Sequence, residues 1–204
     1  MGEIANKKAI ELIIRAKEKH KQTKIGKSIE AMELVQATPE DFHKLRDAYK
    51  DVIDRTEGVK ETTRWVYGKH PTDEMIQGYI DSGYMYIYTD GDRIAGMMAV
   101  TPSKDEVYHQ IEWKQKVSDE EVSVVHILAV TPDYQGYGLG DVMVSLAIDL
   151  AMRNHCKSIR LDSLASNTPA HHLYKKHGFE FRGKLNLMAQ NTGWTDSFFF
   201  EKDL

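Results

Sequence analysis

The chain is poor in several things, and each shortage excludes something. Its 204 residues hold one cysteine, Cys156. A single thiol rules out an intrachain disulfide and a cysteine-based zinc site. It also fits a reducing compartment, so a cytoplasmic location is expected. Cys156 itself reads as a buried structural thiol. Positive charge is not in excess: 27 Lys and Arg face 31 Asp and Glu, a formal net charge of −4. General nucleic-acid binding wants a basic face, so no nucleic-acid partner is expected. No apolar run approaches the length of a membrane span. The opening "IANKKAIELIIRAKEKHKQTK" has its apolar stretch broken by Glu11 and Arg15, and is not expected to be a signal peptide. With 41% hydrophobic and 28% charged residues, the composition is that of a globular domain able to bury a core and carry a cleft.

What is present is regular patterning. Residues from about 4 to 20 read as a helix, with Ala5, Ala9, Leu12, Ile13 and Ala16 on one stripe and lysines opposite. Such a helix packs on the body or on a dimer partner, or lies as a basic amphipathic helix on a membrane surface. "KIGKSIE" reads as a connector, which makes residues 1–28 a helical extension and 29–204 the main domain. "AMELVQAT" alternates like a strand. Thr38, Pro39, Glu40 and Asp41 then form a helix start, and Thr72, Asp73 and Glu74 form a second. "YMYIYT" and "RIAGMMAV" are two strands joined through Asp90-Gly91, a hairpin signal. The polar stretch 102–121 is expected to be a long excursion containing one short strand. "VSVVHILAV" is nearly continuous in apolar character, as a central strand covered on both faces would be.

Downstream, "DVMVSLAIDLAMRNH" reads as a helix facing inward with Val142, Met143, Leu146, Leu150 and Ala151. "SIRLDSLA" is a strand. "TPAHHLYKKHG" is a short helix that starts at Thr168 and Pro169 and stops at Gly178. "FEFRGKLNLM" and "SFFFEKDL" are two final strands. The order is strand, two helices, three strands, helix, strand, helix, two strands. That is a mixed αβ sheet with helices on its faces and not a run of βαβ units.

The central strand leads into "AVTPDYQGYGLGD", where Gly136, Gly138 and Gly140 alternate before a helix. Glycine weakens local order, so three of them must supply something side chains would block. Free N–H groups at a helix start make an anion site. A P-loop is excluded, because no glycine is followed by Lys-Ser or Lys-Thr in the required place. The dinucleotide fingerprint G-x-G-x-x-G also fails: its last position would be Asp141 or Met143. What remains is Q-x-x-G-x-G, Gln135 to Gly140.

"ILAVTPDYQGYGLGDVMVSLA" resembles the acyl-CoA pyrophosphate loop of the GNAT family of N-acetyltransferases. "LDSLASNTPAHHLYKKHGFEFRG" resembles that family's next strand and helix, one helix further on as the family requires. The two blocks cover Val122 to Gly183 closely. From about Ala31 to that point only the element order agrees, and the first thirty residues have no counterpart. The resemblance implies an α/β (α+β) fold with a mixed, mostly antiparallel sheet of about six or seven strands. It implies a splay between the central strands and helices on both faces. It makes 29–204 an acetyltransferase domain that uses acetyl-CoA as co-substrate and no metal.

The chemistry implied is direct attack of an amine on a thioester. A lysine-like amine has a pKa of about 10.4, so making it neutral at pH 7 costs roughly 4–5 kcal/mol. The developing oxyanion needs a donor and the departing thiolate an acid. By resemblance the donor is the backbone N–H of Val130, and the acid is Tyr174. Main-chain groups of Leu128, Ala129 and Val130 hold the pantetheine arm like an added strand. Gln135, Gly136, Tyr137, Gly138, Leu139, Gly140 and Asp141 cradle the pyrophosphate. Asn167, Ala170 and Tyr174 contact the rest of the ligand, and Asn167 also suits a helix cap. Asp141 places negative charge beside an anion and must point away or be offset.

The base stays open. Family members often carry a Glu in the central strand, where this chain has Val124-Val125-His126. His126 shares strand parity with Leu128 and Val130, and its usual pKa suits a base. It equally suits a satisfied core residue. Glu112 is a second candidate, with Trp113 beside it to line an acceptor pocket, and a water chain is a third. His171, His172 and His177 lack the helical spacing of a metal pair, so no metal is expected. Ser145 and Ser163 lack the context of a nucleophile. The expected acceptor is a primary amine of a small molecule or an amino acid. A homodimer is possible through the N-terminal helix. A non-catalytic acyl-CoA-binding or sensing module is the alternative that a missing Glu keeps open.

Overall fold

The computed structural model describes residues 32–204, together with Glu11, Leu12, Ile14, Arg15 and Glu18. Those five are helical, and Leu12 packs half-buried against the main core. The rest of the expected N-terminal helix, and the boundary at residue 28, lie outside the described residues.

The expected order of elements holds. Strand β1 (Glu33–Gln36) is followed by α1 (Phe42–Arg55), a short α2 (Val59–Thr62) and α3 (Asp73–Asp81). Strands β2 (Met85–Asp90), β3 (Arg93–Pro102) and β4 (Val122–Val130) come next, then α4 (Leu139–Arg153) and β5 (Ser158–Leu164). The chain ends with α5 (Thr168–Lys176), β6 (Glu180–Ala189) and β7 (Gly193–Asp203). The seven strands form one sheet in the order β1-β2-β3-β4-β5-β7-β6. Among the described strands only β4 and β5 run parallel.

Local chemistry accounts for the boundaries. Asp41 Oδ2 accepts from the Thr38 N–H at 2.9 Å and from its hydroxyl at 3.0 Å, tying a 3-10 turn, Pro39–Asp41, in front of α1. Thr72 Oγ1 accepts from the Met75 N–H at 3.1 Å at the start of α3. The β2–β3 hairpin turns between Asp90 and Arg93, with Gly91 at φ +58°. Helix α4 is buried on more sides than an amphipathic stripe predicts: Val144, Ser145, Ala147 and Ile148 join Val142 and Met143 inside.

The core lies on both faces. One cluster packs α4 against the sheet through Val142, Met143, Ile159 and Phe200. On the opposite face Leu45, Tyr49, Ile76 and Ile80 of α1 and α3 pack against Ile87, Met97, Ile127 and Ala129. A third cluster sits under the 102–121 excursion. Here the expected short strand is absent; the described backbone makes 3-10 turns at Tyr108–Gln110 and Asp119–Glu121 instead. The cause is a buried carboxylate. Glu201 accepts from Arg160 Nε at 3.1 Å and from the Lys114 N–H at 2.9 Å, so a side chain satisfies backbone that would otherwise seek a ladder. Arg160 stacks 4.2 Å over Trp113, whose indole N–H donates to the Tyr108 carbonyl at 2.7 Å.

Candidate active site

The ladder between β4 and β5 stops early. Val122 to Val125 pair with Ser158 to Leu161, and beyond that the two strands part. The parting opens a cleft of about 580 Å³ whose walls include Leu128, Val130, Gln135, Asp162, Asn167 and Tyr174.

A bulge shapes β4 at this point. Met97 pairs with Ala129 but Ala99 pairs with His126, so β4 carries one extra residue. Ile127 takes it up at φ +43°, a left-handed conformation that a β-branched residue avoids. The buried Tyr49 hydroxyl donates to the Ile127 carbonyl at 2.9 Å and helps hold the bulge. The extra residue overturns the expected parity. Leu128 and Val130 pack toward α4, while His126 stacks on Tyr79 across the α3 face, ring centroids 5.8 Å apart.

The main chain beyond the bulge alternates between β3 and the parting. The Thr131 N–H donates to the Ala95 carbonyl on β3 at 3.0 Å. Alternation then turns the N–H groups of Leu128 and Val130 toward the parting. The Val130 carbonyl accepts from Gln135 Nε2 at 2.9 Å, and the same amide donates to Thr56 Oγ1 at 2.8 Å. Ala129 pairs with β3 and its side chain is core.

The glycine stretch follows on the surface. Gly136 and Gly138 have φ +79° and +81°, and a Cβ on Gly136 would meet nothing within 4 Å. Leu139, Gly140 and Asp141 open α4, so their N–H groups have no intrahelical acceptor. The Leu139 side chain is core, and Tyr137 packs partly against the same cluster. Asp141 is offset by its neighbours: its Oδ1 accepts from His177 Nε2 at 2.9 Å and Lys176 Nζ at 2.8 Å. Burial pushes the Asp141 carboxyl up, but those two hydrogen bonds outweigh it and hold it below the ordinary carboxylate value.

Tyr174 projects from α5 into the cleft wall, beside Phe179 and Phe200. Burial, and then the charge of Asp162, raise its pKa well above the ordinary tyrosine value, so the phenol keeps its proton. Asn167 lines the cleft and also caps α5, its Oδ1 accepting from the Ala170 N–H at 3.4 Å. That bond engages Ala170, which is not a cleft wall.

His126 lines the cleft, and its Nε2 lies 3.1 Å from Thr101 Oγ1. Burial pushes its pKa down to about 4. Glu112 and Trp113 need correction. Glu112 is exposed and does not line the cleft, and Trp113 is buried under Arg160. Of the histidine cluster, His171 Nε2 sits 3.1 Å from the Leu164 carbonyl and stacks on Phe198, and His177 serves Asp141. Among the described residues no group of three or more His, Cys, Asp or Glu is placed to hold a metal, and no helix is long and apolar enough to cross a membrane.

One residue escaped sequence reasoning. Asp162 on β5 lies where β4 has already left, and it accepts from the Tyr108 hydroxyl at 2.7 Å. Burial raises its pKa, against the Tyr108 hydrogen bond and the nearby His70. Ser163 Oγ, next along the strand, is buried in the same cleft without a hydrogen-bond partner. The only sequence signal for Asp162 was an acid inside an apolar strand.

With this geometry in place, comparison with known proteins is direct. The model of the acetyltransferase (GNAT) family matches residues 45–179, and the chain belongs to that family. Streptothricin acetyltransferase of Streptomyces lavendulae is 29% identical over 109 residues, covering 53% of this chain and 50% of that protein. The uncharacterized N-acetyltransferase YesJ of Bacillus subtilis is 27% identical over 108 residues, 53% of this chain and 59% of that one. The chain thus spans about half the length of these curated relatives. A GNAT-family acetyltransferase from Streptococcus agalactiae superposes with a TM-score of 0.64 at 19% identity, covering 85% of this chain and 95% of that one. NAA60 of Arabidopsis thaliana, solved with acetyl-CoA, superposes with a TM-score of 0.61 at 16% identity, covering 85% and 98%. These structures share the fold, as expected from the sequence.

Proposed function

We propose that the protein is an acetyl-CoA-dependent N-acetyltransferase acting on a primary amine of a small molecule. The observation that carries this is a single cleft through the parted strands, walled by Val130, Tyr174 and Asp162. The glycine stretch opens α4 at its end. The residues present fit acetyl-CoA. Gly136 leaves open space where its Cβ would stand, so a pyrophosphate can approach the helix start closely. The N–H groups of Leu128 and Val130 suit an extended arm. Acetyl-CoA supplies an activated acyl carbon whose bond to sulfur breaks as the bond to the amine nitrogen forms.

The chain's own groups then divide the work. The Val130 N–H donates to the carbonyl oxygen as charge builds on it, an interaction worth about 3 kcal/mol. The Tyr174 hydroxyl gives its proton to the departing sulfur. For the amine proton the choice is between His126 and Asp162. Burial disfavours the charged form of each, which lowers the basicity of the imidazole and raises that of the carboxylate. Asp162 is therefore the better acceptor, with Tyr108 holding it in place.

The test is CoA release on a panel of amines, with acetyl-CoA affinity measured alongside. Tyr174→Phe and Asp162→Asn should each lower kcat by about 10²-fold with affinity for acetyl-CoA within a few-fold of wild type. Asp162→Asn should also abolish the acid limb of the kcat/KM profile, which His126→Asn should leave in place. Binding without turnover on any amine would replace this reading by the non-catalytic acyl-CoA-binding module.

A further inference from the structure

A second cavity, of about 400 Å³, adjoins the cleft on the α3 side and shares Met75, Tyr79, Asp105 and His126 as walls with it. Because the walls are shared, one elongated molecule can reach from the cleft into this cavity. Its body is apolar and aromatic: Tyr79, Tyr84, Tyr108 and Val124 contribute, and Tyr108 is the residue that also holds Asp162.

The charge around this route is unbalanced. Carboxylates stand at Glu74 and Asp105 on the cavity and at Asp162 in the cleft. Against them the walls bring one cationic side chain, Lys104, exposed at the cavity rim next to Asp105. Burial pushes down the pKa of both histidines on the route, His70 and His126. Among the described residues no arginine lines either cavity, so the walls lack the forked guanidinium that a carboxylate prefers. An ammonium group, by contrast, meets the Asp162 carboxylate.

We infer that the acceptor is an elongated amine with an aromatic or apolar body and no carboxylate beside the reacting nitrogen, so free amino acids are rejected. This rests on the acetyltransferase reading above and narrows it. A carboxylate on the carbon bearing the amine would sit against Asp162 and Asp105, which repel it.

Matched pairs that differ only in the carboxylate test this: tyramine against tyrosine, phenethylamine against phenylalanine, isopentylamine against leucine. Two readouts are needed, binding to the CoA-saturated protein and turnover with acetyl-CoA. The expected result is that the amine of each pair binds at least about tenfold more tightly and is favoured at least as much in kcat/KM. Asp105→Asn should narrow the gap between amine and amino acid in both readouts, by raising binding of the amino acid. Amino acids that bind as well as their amines, or pairs of which neither member binds, would overturn the inference, as would a tenfold preference for the α-amine of a short peptide. Amines that bind selectively but are not acetylated would leave it standing and overturn the acetyltransferase reading instead.

Discussion

Burial moves His126 and Asp162 in opposite directions, and stability should register it. The folded-state pKa of His126 is pushed down to about 4, against an ordinary value near 6.5. Above pH 6.5 the imidazole is neutral in both states and costs nothing. As pH falls from about 6.5 toward 4, the unfolded chain takes up the proton and the folded chain does not, so stability is lost over that window. Between pH 7 and pH 5 the loss amounts to about 2 kcal/mol. Asp162 acts with the opposite sign: its raised pKa costs the folded state stability once both states are ionised, and that cost is relieved as pH falls. The two are separated by urea titrations of wild type and His126→Asn at pH 7 and pH 5. The variant should lose about 2 kcal/mol less on acidification; an identical loss in both would show that His126 titrates normally. Neither shift was legible in the sequence. A period of two placed His126 with Leu128 and Val130, and one inserted residue at Ile127 separated them. Asp162 showed only as an acid inside an apolar strand, because what sets it in the cleft is the departure of β4, a partner distant in the chain.

At the scale of elements, what the sequence revealed was what is local. The glycine stretch, the Asn167 cap and the Tyr174 helix each follow from contiguous residues, and all three stand where that reading put them. The 102–121 excursion did not follow, because its anchor, Glu201, comes from the last strand. Glu112 and Trp113 were linked by adjacency alone, and Arg160 draws Trp113 away from the cleft. The glycine stretch gives a prediction of its own. Gly136 and Gly68 sit at similar positive φ, +79° and +86°, and a Cβ on either would meet nothing within 4 Å. Alanine at each should therefore cost a similar amount of stability, about 1 kcal/mol, from backbone strain. Only the Gly136 methyl would occupy the approach to the α4 start. Gly136→Ala should weaken acetyl-CoA binding about tenfold, while Gly68→Ala leaves it unchanged, both measured by calorimetry. Equal affinities would mean that the glycines form a turn and nothing more.

At the scale of the whole molecule, the parting of β4 from β5 is a defect in the sheet. The seven described strands form one sheet, but here main-chain groups of Leu128 and Val130 face a cleft and not a neighbour. Unpaired backbone away from water is costly, so the fold holds the gap open with other contacts. Tyr49 secures the bulge, Gln135 takes the Val130 carbonyl, and α1 and α4 clamp the two faces. On the proposed reading a ligand arm lying between the strands would complete the ladder, and binding would then mend the sheet as well as fill a pocket. The consequence is regional protection on top of global stabilisation. At one hundred times its dissociation constant, CoA should add about 2.7 kcal/mol, but so would any ligand at that occupancy. Hydrogen exchange separates the parts. CoA, with its arm, should slow exchange at Leu128 and Val130 and at the start of α4. ADP at matched occupancy carries a pyrophosphate and no arm, so it should slow the start of α4 alone. Protection of the β4 amides by ADP, or their indifference to CoA, would mean that the arm runs elsewhere and that the gap between β4 and β5 is not its seat.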